Sequence, residues 1–83
     1  ISSAMVLEDE IEKNLNYLFV HKHKNLTLAV HPIIYAYLTK GWLMSIIAKW
    51  RRKFKQKIKL EANTNYHFTE FRFFDERDEE IKM

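Results

Sequence analysis

Lys49, Arg51, Arg52, Lys53 and Lys55 are the side chains of this chain best equipped to meet a ligand, and the chemistry they offer is electrostatic. They belong to a longer acid-free run, Lys40 to Lys59, that holds eight basic residues. Such a run can neutralise several phosphates and give RNA affinity that ignores sequence and falls with salt. The same five can equally present a charged surface to another protein, or lie solvated with their aliphatic stems over apolar neighbours. Acid collects elsewhere, at Glu8, Asp9, Glu10 and Glu12 and again at Asp75, Glu76, Asp78, Glu79 and Glu80. The surface is therefore dipolar although the net charge is only +3, and it can seat a polyanion or the acidic face of another subunit.

No pattern for breaking bonds accompanies these cations. Gly41 is the single glycine, too few for a phosphate-cradling loop or a nucleophile elbow. Ser45 falls inside an apolar helical stripe, away from any His-and-acid pair. His21 and His23 have a spacing that could grip a metal, but Lys22 and Lys24 beside them would repel a divalent cation, so they read as a solvated helix end. The acids at Glu8, Asp9, Glu10 and Glu12 fit the early turns of a helix for dipole reasons and point several ways around it. The Asp75–Glu80 acids lack the glycine and fixed oxygen intervals of a calcium loop. Tyr66, Phe68, Phe71, Phe73 and Phe74 could stack on bases, although core packing is the simpler use for them.

The elements that must position these residues follow from periodicity. Leu7, Ile11, Leu15 and Leu18 form one apolar stripe and predict a helix over 4–22. Leu26, Leu28 and Val30 alternate with Thr27 and Ala29, which predicts a strand. Pro32 suits the first position of a second helix, with His31 either capping that helix or closing the strand, and Gly41 as a left-handed stop. Leu43, Ile46, Ile47, Trp50 and Phe54 predict a third helix over 42–56, with the cations on its other side. A strand through Ile58, Leu60 and Ala62 follows. A turn at Asn63–Asn65 leads to a long aromatic strand, Tyr66 to Phe74, with both faces covered. A second polar turn and a short fourth strand at Ile81 to Met83 close a meander. The expected class is α+β, three helices with a small three- to four-stranded mixed sheet.

At 83 residues the chain is expected to be a single domain that hides only roughly 60–65% of its unfolded surface. Its 47% apolar and 14% aromatic content argues against disorder. The absence of cysteine excludes disulfides and thiolate metal sites. No run is long enough to span a membrane and no signal peptide is evident, so no membrane partner and a cytoplasmic location are expected. The opening Ile1-Ser2-Ser3 is read as the start of an excised fragment.

Three stretches carry a family resemblance: Leu26 to Gly41 (LTLAVHPIIYAYLTKG), Lys49 to Leu60 (KWRRKFKQKIKL), and Tyr66 to Asp75 (YHFTEFRFFD) with the ending Glu79 to Met83 (EEIKM). Together they resemble the C-terminal part of the ribonuclease E/G family, in the ribonuclease G version of Bacteroides-like bacteria. The resemblance runs from about Leu7 onward and rests on similar residues rather than on a chemical motif. It implies a parent that is a magnesium-dependent endoribonuclease acting in RNA processing and mRNA decay. The parent's magnesium ligands, 5′-end pocket, RNA-binding domain and the cysteines of a zinc shared between subunits would lie upstream, so none maps onto this chain. The fragment itself is expected to be inactive and to hold no cofactor. Its expected partners are other domains or subunits of a homo-oligomeric parent, with RNA, met by the basic third helix, as the alternative.

Overall fold

The computed structural model describes residues 3–82, and its elements follow one another as α1 (Ser3–Val20), β1 (Leu26–Val30), α2 (Pro32–Thr39), a 3-10 turn (Trp42–Met44), α3 (Ile46–Phe54), β2 (Ile58–Ala62), β3 (Phe71–Phe74) and β4 (Glu80–Ile81). The class is α+β, with three helices and a mixed four-stranded sheet in the order β2-β1-β3-β4. β1 and β2 run parallel, and the β1–β3 and β3–β4 pairs are antiparallel. The expected meander is thus interrupted: β1 lies between β2 and β3. All five of its residues are buried, which is why this most apolar strand takes the centre.

Register sorts the sheet into two faces. Leu26, Leu28 and Val30 stand beside Ile58, Leu60, Phe71 and Phe73, and these join Leu7, Ile11, Leu15 and Leu18 of α1, Ile34 and Leu38 of α2, and Ile47 and Trp50 of α3 in one core. The α1 stripe is buried as its spacing predicts. The other face carries Thr27 and Ala29 flanked by Lys59, Glu61, Arg72 and Phe74.

α1 stops through a left-handed Lys22, φ 71°, with His23 N–H donating to Leu18 O and Lys22 N–H to Phe19 O, the paired bonds of a Schellman end. Because α1 begins at Ser3, its acids fall beyond the first turn, which carries none. The dipole does not explain them; Asp9 pairs with Lys13 within the helix, and Glu8 and Glu12 have cross-helix partners. Glu8 accepts from Tyr37 OH at 2.8 Å, and Glu12 accepts from Trp50 Nε1 at 2.9 Å and from Lys53 Nζ.

Two expected elements are shorter than periodicity suggests. The aromatic strand is only Phe71–Phe74, because Asn63 and Glu70 turn the chain before it: Asn63 O and Oδ1 accept from the N–H groups of Tyr66 and Asn65, and Glu70 Oε1 accepts from His67 N–H. Phe71 and Phe73 share the core face, and Phe74, on the other, stays half-buried. The third helix starts at Ile46 rather than 42, since the buried Ser45 hydroxyl caps it by accepting from Ala48 N–H at 3.2 Å. Of the fourth strand, Met83 lies outside the described residues.

Candidate interaction surface

All five sequence-predicted cations are exposed, but three of them serve the fold. The Arg51 guanidinium grips Ile58 O through Nε at 3.0 Å and Nη2 at 2.7 Å, tying α3 to the start of β2. Arg52 Nη1 donates to Leu43 O at 2.9 Å and fastens the 3-10 turn. Lys53 pairs with Glu12 and so joins α3 to α1. That pair, with the Trp50 N–H, holds the Glu12 carboxyl below its ordinary range. Lys49 and Lys55 make no side-chain hydrogen bond or ion pair among the described residues. Lys55 is not on the helix at all: it is the left-handed residue, φ 54°, that ends it. The helix reads from sequence as one cationic face; in the fold it is a tie bar with two free cations.

His31, His21 and Ser45 have structural employment. His31 Nδ1 accepts from Ile33 N–H at 3.0 Å and caps α2, as the sequence suggests. His21 stacks on Tyr17 with ring centroids 4.1 Å apart and its Nδ1 bonds Tyr17 O. Among the described residues no group of three His, Asp or Glu side chains is placed to hold a metal. A recess of about 360 Å³ at the sheet end brings Lys57 and Lys59 against Asp75, Glu76 and Asp78, whose opposite charges offset.

Sequence reasoning missed the apolar surface. α2 contains no charged residue, and it leaves Ile33 59% and Tyr35 37% exposed, with Ala36 also exposed beside them. Immediately after it, Trp42, Leu43 and Met44 are 81%, 61% and 71% exposed. Large side chains at successive positions in water are what an interaction site looks like, whereas singly scattered ones are ordinary. Comparison with known proteins returns no matching family model, no similar curated protein and no matching solved structure.

Its backbone is held in place. Gly41 (φ 93°) and Trp42 (φ 48°) are both left-handed, a rare setting for a bulky residue that structure elsewhere must enforce. Met44 N–H donates to Gly41 O at 2.9 Å, Ser45 N–H to Trp42 O at 3.1 Å, and Arg52 holds Leu43 O from the side. Two signals could have exposed this turn in advance: the charge-free run of α2, and Ser45 read as a helix cap, which leaves residues 42–44 outside α3. No helix among the described residues is long and apolar enough to cross a membrane.

Proposed function

We propose that this chain is a non-catalytic C-terminal module of a ribonuclease E/G-type endoribonuclease, acting in RNA processing and mRNA decay, and that it contributes contacts for subunit assembly. The residue resemblance along Leu26 to Gly41 and Lys49 to Leu60 supports the parent. The observation that carries the assembly role is the outward face of α2. A helix apolar on all sides belongs inside a protein, yet Ile33, Tyr35 and Ala36 face water with no charge among them. A neighbouring domain or subunit is the natural cover for an uncharged face of this kind. The test is an Ile33→Asp, Tyr35→Ser variant of the ribonuclease carrying this module, compared with the parent by sedimentation. A smaller assembly with cleavage per active site retained supports the reading; an unchanged mass removes it.

A second reading, auxiliary RNA binding through α3, keeps the support of the acid-free run from Lys40 to Lys59. The engagement of Arg51, Arg52 and Lys53 weakens it. With Lys49 and Lys55 as the free cations, RNA affinity should fall with log salt at a slope of about −1.5, roughly 0.7 per phosphate contact on a single strand. A slope of about −3.5 would restore all five cations as an RNA face.

A further inference from the structure

The Trp42–Met44 turn differs from the α2 face in its charge. Lys40 precedes it, and Lys49 and Arg52 stand three residues apart on one face of α3, a face that Arg52 directs toward the turn by bonding Leu43 O. Lys49 N–H bonds Ser45 O, so Lys49 lies in the first turn of α3, the turn that directly follows the tip in the chain. No acidic residue occurs between Lys40 and Lys59. The result is an apolar tip of Trp, Leu and Met inside a collar of cations.

We infer that this tip seats the domain on an anionic lipid surface, with Trp42, Leu43 and Met44 entering the headgroup–acyl boundary and Lys40, Lys49 and the Arg52 N–H groups not bonded to Leu43 O meeting the lipid phosphates. Each part of the collar-and-tip arrangement suits that medium. Trp is enriched at membrane–water boundaries, aliphatic side chains gain by leaving water, and basic residues at the surface are drawn to acidic leaflets. A single-stranded nucleic acid would use Trp42 and the cations but leave Leu43 and Met44 in water. A second copy of the tip would set like charges against each other. An anionic lipid surface employs all six side chains at once. The turn is also preorganised by the Arg52 bond and the Gly41–Met44 bond, so little ordering is left for the moment of contact. This contact is peripheral, needs no spanning segment, and does not rest on the ribonuclease reading.

Tryptophan emission reads the contact directly. Trp50 is 2% exposed and Trp42 81%, so a change on adding vesicles reports Trp42. The 83-residue chain is mixed with vesicles of phosphatidylcholine alone and with vesicles containing phosphatidylserine, at low salt, and sedimented. The expected result is a blue shift and co-sedimentation with the acidic vesicles only. Trp42→Ser with Leu43→Ser should lower the partition by about tenfold or more, with the far-ultraviolet circular dichroism unchanged because both residues lie outside the core. Lys40→Gln and Lys49→Gln should each lower it about fivefold. The proposal is overturned by no association with acidic vesicles, or by equal association of the Trp42→Ser, Leu43→Ser variant, which would be adsorption by charge alone. It is likewise overturned if Trp42 emission shifts with single-stranded RNA, or with rising protein concentration, but not with vesicles.

Discussion

Removing the Glu12 carboxylate should cost more than removing the cation paired with it, because the buried partner of Glu12 is Trp50. Trp50 is 2% exposed and its Nε1–H donates to Glu12 Oε1 at 2.9 Å. A buried donor left without its acceptor costs about 1–3 kcal/mol. Glu12 is 33% exposed at the side chain, so water can enter the vacated place in part, and we expect Glu12→Ala to lose about 1.5–2 kcal/mol. Lys53, 58% exposed, forms a surface pair worth about 0–1 kcal/mol, so Lys53→Ala should lose about 0.5. Urea unfolding followed by circular dichroism measures both. In a cycle with Trp50→Phe, the Glu12–Trp50 coupling should reach about 1 kcal/mol. Acid adds a signed test. The Glu12 carboxyl is held below its ordinary value of 4.5, first by the Lys53 hydrogen bond and then by that of Trp50. A carboxyl depressed by folding contributes stability above its unfolded value and loses it as pH falls through the folded one. The stability gap between the parent chain and Glu12→Gln should therefore narrow as pH drops below about 4.5. A Glu12→Ala loss no greater than that of Lys53→Ala would refute the reasoning, since it would mean that water satisfies the indole.

Gly41→Ala should cost about 1 kcal/mol; the added methyl would sit 3.7 Å from its nearest neighbour, so the loss comes from the left-handed backbone and not from a clash, and a melting curve measures it. Trp42→Asn should leave stability unchanged or raise it by up to about 1 kcal/mol, because the ring is exposed and Asn tolerates φ 48°; a clear loss by urea titration would place the ring in a packing role. Leu28→Ala, at a fully buried site in the central strand, should cost about 2–5 kcal/mol, enough to unfold most of a domain this small by circular dichroism at 37 °C.

The fold was legible wherever one local signal acted alone. Leu7, Ile11, Leu15 and Leu18 have a single helical face, and Pro32 with His31 marks a helix start whose cap bond forms as expected. Tyr66 to Phe74 was overread because aromatic content signals a strand, while the Asn63 and Glu70 side chains offer the backbone turns instead. Strand order lay out of reach: that β1 separates β2 from β3 depends on how two helices return the chain, and no local pattern encodes it.

The candidate surface failed for a related reason. Leu43, Ile46, Ile47, Trp50 and Phe54 keep helical spacing across Ser45, so periodicity alone runs the helix through a residue whose hydroxyl begins it. Once the helix starts at Ser45, Leu43 leaves the stripe for solvent, and the two residues flanking it go with it. The cations erred in the opposite direction. Arg51, Arg52 and Lys53 look free in sequence because their partners, Ile58 O, Leu43 O and Glu12, are two backbone carbonyls without side-chain identity and one acid 41 residues away. Charge counted along a chain therefore overstates what it can offer a ligand, and apolar residues counted by period understate it. In this domain both errors meet at one turn, where Arg52 holds the backbone that presents Trp42, Leu43 and Met44.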